Sequence, residues 1–393
     1  MADDGAWDVV VVGAGYAGST VARELAERGG RRVLLLESRP WIGGNAYDCL
    51  DDAGVLIHLY GPHIFHSNEK RVYDYLSRFT EWRDYQHEVL ADVHGTYLPV
   101  PFNKNSLRIV YGPERAAELI DKLVATFGDE RKVTINELRM QKDPDLAEIA
   151  DYVYRNVFLY YTQKQWGLTP EEVDPSVTAR VPVFISEDNR YFQDTYQGIP
   201  TEGYTAMFER MLDHPNITVR TSTDARDVLE FVTLDDGTKT IRMDGRPFSG
   251  VVVYTGPLDE LFSLCYGRLP YRSLDFEFET LPQEHFQPRG TINYTVSEDF
   301  TRISEFKYFS GQDIPDRTTI VREYPRAYTG EDGQIPYYAI LNDENRAHHE
   351  RYLELARAYP NFYPLGRLAE YKYYNMDIIC KKALELADEL LSD

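Results

Sequence analysis

Hydrophobic residues near the start of the chain form two unbroken runs, separated by a segment with helical spacing. Val9–Val12 and Val33–Leu36 are short apolar runs, as in strands buried on both faces of a parallel sheet. Between them, over 16–28, apolar residues recur on one helical face and charged residues occupy another. The pattern therefore predicts a strand, a helix and a second strand, which together make a βαβ unit.

The rest of the chain follows other patterns. Helical spacing prevails over 103–167, whereas short alternating segments typical of antiparallel strands occur over 173–203 and 251–341. Val251–Tyr254 is a further buried strand and a candidate to rejoin the first sheet, and 376–391 has the spacing of an amphipathic helix. Because no repeat and no Pro/Gly/Ser-rich linker separates these segments, we predict domains that are interleaved along the chain.

Composition and charge narrow the class of protein. The 393 residues include 64 acidic and 42 basic ones, which gives a formal net charge of −22. A hydrophobic fraction of 43% with 27% charged residues is typical of a folded globular protein and excludes disorder as the main state. The length favours two or three domains. Nucleic-acid binding needs a basic face, so no nucleic-acid partner is expected.

The location and the metal content are predicted from what the sequence lacks. No apolar run approaches the roughly 18 residues that span a bilayer, and the first residues are acidic where a secretory signal would be basic. The three cysteines, Cys49, Cys265 and Cys380, are too few and too scattered for a disulfide framework or a thiolate metal site. We therefore expect a cytoplasmic protein with no metal and no membrane partner.

The 30 tyrosines, against 18 phenylalanines, indicate a pocket rich in hydroxyl groups.

The strongest motif follows the first strand directly. The sequence Gly13-Ala14-Gly15-Tyr16-Ala17-Gly18 fits the G-x-G-x-x-G spacing. We expect Gly13 to permit the tight turn, Gly15 to let a pyrophosphate approach the backbone, and Gly18 to let helix and strand pack closely. Glu37 follows 19 residues after Gly18, where a carboxylate accepts hydrogen bonds from a ribose diol and favours FAD or NAD over NADP. The glycines alone could be an incidental loop, but with strand, helix and acid in register they predict a dinucleotide site.

Two histidines lie shortly after this unit. His63 and His66 are three residues apart with no third ligand nearby, so a metal site is not predicted. The double glycine Gly43-Gly44 before them indicates a second close approach of the backbone to a cofactor. A histidine satisfied within the core is the alternative interpretation of His63.

Three further clusters combine aromatic and polar side chains. The aromatic rings and amide groups over 160–167 could bind a flat base or a sugar. The alternative is that this segment is an aromatic helix end that packs on another domain. Arg180 and Arg302 are candidates to clamp a diphosphate, although either one alone would suit a surface ion pair. The segment 366–376 places tyrosines before a helix and suits an anionic or flavin ligand. No cluster contains the nucleophile and base of a hydrolase.

Over essentially its whole length the chain resembles the bacterial UDP-galactopyranose mutases. The motifs that carry this resemblance lie at 13–18, 42–47, 61–66, 161–167, 196–200 and 366–376. It implies an α/β fold in which a Rossmann-type FAD-binding domain is interleaved with a helical bundle and a twisted antiparallel sheet. The implied boundaries are 1–85, 211–257 and 355–393 for the FAD-binding domain, 103–172 for the helical domain, and 86–102, 173–210 and 258–354 for the sheet domain that binds substrate.

The resemblance also implies an activity. Family members interconvert UDP-galactopyranose and UDP-galactofuranose, a ring contraction that is not a net redox reaction and yet requires reduced FAD. In the family the reduced flavin N5 displaces UDP from the anomeric carbon, the sugar recloses through its 4-hydroxyl, and UDP returns. This would explain the missing protein nucleophile. A homodimer or larger homo-oligomer and a role in cell-envelope polysaccharide are the family expectations, and a flavin oxidase or desaturase is the alternative function.

Site residues follow from the positions that match the family motifs. Arg180, Arg302 and His63 correspond to catalytic positions, with Arg180 on or beside a loop that closes over substrate. The substrate-binding positions are Phe158, Tyr161, Thr162, Trp166, Tyr191, Asn293, Tyr338, Tyr373, Asn375 and His87. The cofactor-binding positions are Gly13, Gly15, Tyr16, Ala17, Gly18, Glu37, Ser38, Arg39, Gly44, Asn45, His63, Ile64, Gly256, Arg367, Tyr374 and Met376.

Three positions depart from the family pattern. Asn375 stands where many members have Asp, so this chain lacks the carboxylate at that position. Val157 replaces a common aromatic residue, which leaves base stacking to Phe158. His87 replaces a frequent Asn and changes the polar group offered to the nucleotide or sugar.

Overall fold

A five-stranded parallel sheet takes its first strand from the start of the chain and its last strand from near the end. The computed structural model describes residues 7–169, 172 and 182–392. In spatial order the strands of this sheet are Ile217–Arg220, Val33–Leu36, Val9–Val12, Val251–Tyr254 and Phe362–Pro364. The predicted βαβ unit is confirmed, and Val251–Tyr254 does rejoin the sheet, paired in parallel with Val9–Val12.

Both faces of the parallel sheet are covered, which explains its unbroken apolar runs. Val9 and Val11 point into one core with the helices Tyr16–Glu27, Lys70–Leu76, Tyr204–Leu212 and Met376–Ser392. Val10 and Leu34 point into the other core, with the helices Ala225–Val228, Leu258–Leu261 and Asp343–Arg357. Successive residues of a strand face opposite sides, so every position of these strands must be apolar.

A seven-stranded sheet forms the second large layer. Its strands in spatial order are Tyr338–Ala339, Tyr271–Leu281, Thr318–Ala327, Arg302–Glu305, Thr291–Tyr294, Val89–Val93 and Thr96–Val100. Thr291–Tyr294 pairs in parallel with Val89–Val93, and every other pair is antiparallel. The helix Phe306–Ser310 follows the strand that carries Arg302.

A helical layer covers one end of this sheet. Its α-helices are Lys104–Tyr111, Pro113–Phe127, Ile135–Arg139, Pro144–Val153 and Tyr160–Trp166, with a π-helical turn at Tyr154–Leu159. Side chains cap several of them: Asn103 accepts from the N–H groups of Asn105 and Ser106, and Thr134 accepts from that of Glu137. Their apolar faces share one core with Val89 and Leu98 of the sheet.

Short strands complete the structure. They are Asp48–Leu50, Leu56–His58, Phe65–Ser67, Trp82–Arg83, Lys132–Val133, Val183–Phe184, Tyr196–Pro200, Leu229–Thr233, Lys239–Met243 and Arg246–Phe248, and Gly44–Ala46 is a 3-10 turn. The expected domain boundaries remain a prediction. The boundary at residue 211 would divide the helix Tyr204–Leu212, which packs as one unit on Tyr16–Glu27. Within the described ranges, no helix is long and apolar enough to cross a membrane.

Candidate functional site

One cavity of about 1050 Å³ lies where the layers meet. The last residues of three parallel strands, Val12, Leu36 and Tyr254, line one side of it. The helix Tyr160–Trp166 and the seven-stranded sheet line the other side. The carboxyl end of a parallel sheet is where α/β proteins of this kind bind nucleotides.

The glycine motif shapes the cavity beside the first helix. Gly13 has a φ of +99°, and a Cβ there would lie 2.1 Å from Thr255 Oγ1. A Cβ on Gly18 would lie 1.9 Å from the carbonyl oxygen of Gly13, so Gly18 lets the helix pack against the turn. Gly18 was expected among the cofactor contacts, but it does not line the cavity. Gly15 and Gly44 do line it, and a Cβ on Gly44 would lie 3.0 Å from Gly15 Cα; the close approach of the double glycine to a cofactor remains a prediction.

A carboxylate and a guanidinium lie at the same end of the cavity. Glu37 is buried and accepts hydrogen bonds from the N–H groups of Ala14, at 2.8 Å, and Arg39, at 2.9 Å. The Arg39 guanidinium lies 4.2 Å from the ring centre of Tyr60 and donates to Asn45 Oδ1 at 2.9 Å. Its Nη1 is buried and has no hydrogen-bond partner among the described residues. This end therefore offers both an acceptor for hydroxyl groups and a free cationic donor.

His63 is a neutral imidazole whose tautomer is fixed by its surroundings. Burial lowers its pKa to about 3, although the Gly61 carbonyl acts in the opposite direction. Nδ1 lies 2.9 Å from the Gly61 carbonyl oxygen, which can only accept, so Nδ1 carries the proton and Nε2 keeps its lone pair. The backbone N–H of His63 donates to Nδ1 of the buried His58 at 3.0 Å. His63 thus brings a hydrogen-bond acceptor to the cavity wall.

The register of the seven-stranded sheet places three polar side chains in a row. Asn293 lies opposite Arg302, and Arg302 opposite Glu323, so all three point to the same face. Arg302 Nε donates to Glu323 Oε1 at 2.6 Å. Burial disfavours the charge on Arg302, but the Glu323 carboxylate outweighs it and holds the pKa of Arg302 above its usual range. All three line the cavity.

Hydroxyl groups and rings surround this row. Burial raises the pKa values of Tyr161 and Tyr338, so both phenols stay protonated and can donate. The Tyr338 ring stacks on Tyr373 at 5.9 Å between ring centres and lies 5.6 Å from Trp166. Arg367 lies 4.3 Å from the Tyr373 ring centre. The result is an aromatic wall that ends in a cation.

The helical layer supplies the next part of the wall. Phe158 and Thr162 are buried there, one turn apart, and Val157 lies beside them. The His87 ring packs near that of Tyr191, at 5.9 Å between centres. Burial lowers the pKa of His87 to about 3, so it too is neutral. A flat base fits a wall of this kind, because rings and methyl groups alternate with a few polar groups.

The described residues thus bring nearly the whole predicted set together. All of the predicted substrate-binding, cofactor-binding and catalytic residues line this cavity, apart from Gly18 and Arg180. The lining includes those not yet mentioned: Asn375, Tyr374, Met376, Gly256, Ser38, Ala17 and Ile64. Arg180 lies outside the described residues. The roles of the individual side chains remain predictions.

Sequence reasoning missed some residues. Glu323 is fully buried, and Tyr337 also lines the cavity. A signal existed for Glu323: it follows Val321 by two positions in an alternating strand and so had to face inward. The buried His58 accepts a hydrogen bond from the backbone N–H of His63 and so holds that backbone in place, but nothing in the spacing indicates this contact.

The cavity has the features of a site for a dinucleotide and a second polar ligand. Seven buried polar atoms along it have no hydrogen-bond partner among the described residues: Tyr16 OH, Arg39 Nη1, Gln193 Oε1, Thr291 Oγ1, Asn293 Oδ1, Glu323 Oε2 and Tyr337 OH. Buried polar atoms normally have partners, so these fit a hydrogen-bonding ligand. Arg39, beside the glycine cradle and Glu37, fits FAD at that end. No group of His, Cys, Asp and Glu within the described residues could hold a metal ion.

Comparisons with known proteins agree with this geometry. The family model for UDP-galactopyranose mutase matches residues 156–373, and that for an NAD(P)-binding Rossmann-like domain matches 11–79. A UDP-galactopyranose mutase of Mycoplasma pneumoniae is 36% identical over 391 residues, covering 98% of this chain and 96% of its own. A dTDP-fucopyranose mutase of Escherichia coli is 32% identical and covers 96% and 97%. The crystal structure of a reduced UDP-galactopyranose mutase shares the fold, with a TM-score of 0.69, 19% identity and coverage of 98% and 94%.

Proposed function

Because the chain belongs to the UDP-galactopyranose mutase family, we propose that it interconverts UDP-galactopyranose and UDP-galactofuranose with reduced FAD as its cofactor. One observation carries the proposal beyond family membership. A dinucleotide cradle and a partly buried arginine, surrounded by protonated tyrosines, line the same cavity. A cofactor and a diphosphate can therefore be held next to each other, as the reaction requires.

Arg302 and the tyrosines would bind the diphosphate. Glu323 holds Nε of Arg302, which leaves the remaining N–H groups of the guanidinium for phosphate oxygens. The protonated hydroxyls of Tyr161 and Tyr338 add neutral donors. When the bond between the anomeric carbon and UDP breaks, negative charge grows on the phosphate, and these fixed donors stabilise it most at that point.

His63 and the aromatic wall would serve the sugar. The lone pair on His63 Nε2 can accept a hydrogen bond from a hydroxyl or N–H group in the cavity. Trp166, Tyr338 and Tyr373 form a continuous aromatic surface that would limit the contact of water with the reacting centre. Excluding water protects the sugar from hydrolysis while it is detached from UDP.

The cofactor would lie along the glycine cradle. The backbone at Gly13 and Gly15 suits the pyrophosphate, Glu37 the ribose diol, and Arg39 and Met376 line the same channel. Reduced FAD bound there would supply the nucleophile for the anomeric carbon, which none of the described side chains provides. The protein's part is to orient sugar and cofactor and to hold UDP while the sugar ring changes size.

A turnover assay tests the proposal. The purified yellow protein is reduced with dithionite and given UDP-galactofuranose, and the nucleotide sugars are separated by chromatography. We expect UDP-galactopyranose to form only in the reduced sample. Reduced, flavin-loaded protein that forms none would contradict the proposal. A parallel sample with the furanose form of dTDP-fucose tests the activity named for the Escherichia coli relative.

A further inference from the structure

Lys164 has an unusual set of partners for a lysine in an acidic protein. It lies in the helix Tyr160–Trp166, and its ammonium group donates to three backbone carbonyls. The acceptors are the carbonyl oxygens of Tyr294, at 2.6 Å, Glu298, at 2.9 Å, and Phe300, at 2.9 Å. An ammonium has three N–H donors, so its hydrogen-bonding capacity is fully used. Within the described ranges Lys164 forms no ion pair, although the net charge is −22.

The three carbonyls lie at the end of one strand and in the connection over 295–301, which joins two strands of the cavity wall. Asn293 precedes the connection on the strand Thr291–Tyr294, and Arg302 follows it on the strand Arg302–Glu305. Lys164 therefore ties the helix to the connection between these two side chains. On the helix, Tyr161 and Trp166 face the same cavity.

Arg272 makes a second tie between the helix and the sheet. Its Nε donates to the carbonyl of Gln165 at 2.9 Å and its Nη2 to that of Lys164 at 3.1 Å, and these are carbonyls of the helix's last turn. Arg272 lies opposite Tyr338 in the strand ladder. The helix is thus bound through Lys164 to the connection that leads into the strand of Arg302, and through Arg272 to the strand that pairs with Tyr338.

From these contacts we infer that Lys164 is a positioning residue, which sets the distance between Arg302 on the sheet and Tyr161 on the helix so that both reach one diphosphate. The inference rests on the proposed function, because it takes the diphosphate of a UDP-sugar as the shared ligand. Charge-assisted hydrogen bonds to carbonyls fix a turn more firmly than neutral ones do. A displacement of about 1 Å between groups that bind one ligand can cost on the order of 100-fold in rate.

The ionisation of Lys164 agrees with this role. Burial lowers its pKa to about 8, while Glu298 and Asp299 act in the opposite direction. At neutral pH the group is therefore still an ammonium and can serve all three carbonyls.

Three variants of the holoenzyme test the inference. Lys164→Met removes all three donors but keeps the length of the side chain, and Lys164→Arg restores a cation with several donors. Gln163→Met is the matched control, because Gln163 is the exposed neighbour on the same helix. For each variant we measure the dissociation constant of UDP by flavin fluorescence, and kcat and KM for UDP-galactofuranose. We expect Lys164→Met to weaken UDP binding and raise KM by about tenfold or more, with the flavin spectrum unchanged. Lys164→Arg should recover most of this loss, and the control should behave as the parent protein.

A double-mutant cycle separates positioning from simple stabilisation. In an Arg302→Ala background, Lys164→Met should cost little further UDP affinity, because the group it positions is gone. Additive losses, or a Lys164→Met variant that melts earlier but binds UDP normally, would overturn the inference. If Lys164→Met does not fold, Lys164→Gln, with two N–H donors, carries the same prediction to a smaller degree. A parent protein that turns over no UDP-galactofuranose would instead refute the proposed function.

Discussion

Burial lowers the pKa of Arg302 and the charge of Glu323 raises it, with the net effect that the pKa lies above its usual range. Glu323 keeps the guanidinium charged inside the cavity, and we propose that a phosphate becomes its second partner. Arg302→Ala should lower kcat/KM by about 100-fold or more, roughly 2.7 kcal/mol of transition-state stabilisation. Steady-state kinetics of the reduced enzyme measures this loss.

A neighbouring arginine provides the control. Arg322 precedes Glu323 by one position, so it points to the opposite face of the sheet, where it pairs with Glu279 at 2.7 Å. Arg322→Ala should leave kcat/KM within about twofold of the parent value. Equal losses in the two variants would show that charge anywhere on this sheet matters, and not the position of Arg302.

The glycine motif contains two positions that should fail in different ways. Gly15→Ala keeps an allowed backbone, with φ at −84°, and its new Cβ would meet its nearest atom at 3.6 Å. It should fold normally but bind flavin poorly, because the methyl group would lie beside Gly43 and Gly44, which line the cavity with Gly15. Gly18→Ala drives a Cβ against the Gly13 carbonyl and should destabilise the fold by roughly 1–3 kcal/mol.

Absorbance at 450 nm relative to protein, together with urea unfolding of the flavin-free proteins, separates the two effects. A Gly18→Ala variant as stable as the parent, or a Gly15→Ala variant with full flavin content, would contradict the assignment of these two roles.

In the helix Tyr160–Trp166, the ionisation of Lys164 should make substrate binding depend on pH. Above about pH 8 the amine keeps only two N–H groups for three carbonyls. KM for UDP-galactofuranose should therefore rise between pH 8 and 10 in the parent protein. It should stay flat over that range in Lys164→Arg, whose guanidinium does not deprotonate. Identical pH profiles for the two proteins would remove Lys164 as the cause.

The first elements could be predicted because their pattern is local. Val9–Val12 and Val33–Leu36 must be apolar throughout, since the sheet is covered on both faces, and the sequence shows this directly. The seven-stranded sheet could be anticipated only as alternating segments. Its parallel pair joins Val89–Val93 to Thr291–Tyr294, about 200 positions away, and no local pattern encodes that pairing.

The candidate site depends on register in the same way. The sequence offers Arg302 as a candidate for binding a diphosphate, and the family resemblance supports it, whereas the row it forms with Asn293 and Glu323 exists only because three strands pair at specific residues. A shift of one position would turn Glu323 to the other face. Spacing alone therefore could not show which carboxylate pairs with Arg302.

Three buried histidines should make the stability of the whole molecule fall in acid. Burial lowers the pKa values of His58, His63 and His87 to about 3 each, from 6.5. Between these two values the unfolded chain binds protons that the native chain does not, so stability rises with pH and is lost as the pH falls below about 6.5. Each such histidine contributes up to about 1.4 kcal/mol per pH unit.

Urea unfolding of the holoenzyme between pH 7 and 5 measures this effect. Replacing His87 with Asn should make the dependence on pH less steep, because one of the three groups no longer titrates. A stability that does not change from pH 7 to pH 5 would mean that these histidines are not held neutral.

We propose that the single cavity described above rearranges a sugar without net oxidation. The most direct test counts turnovers per flavin under anaerobic conditions. The protein is reduced once, excess reductant is removed, and UDP-galactofuranose is added in large excess with no electron acceptor. We expect many molecules of UDP-galactopyranose per flavin, with the flavin still reduced at the end. Absence of UDP-galactopyranose, or an oxidised sugar nucleotide that forms only when an acceptor is supplied, would contradict this expectation, and the second result would indicate an oxidase.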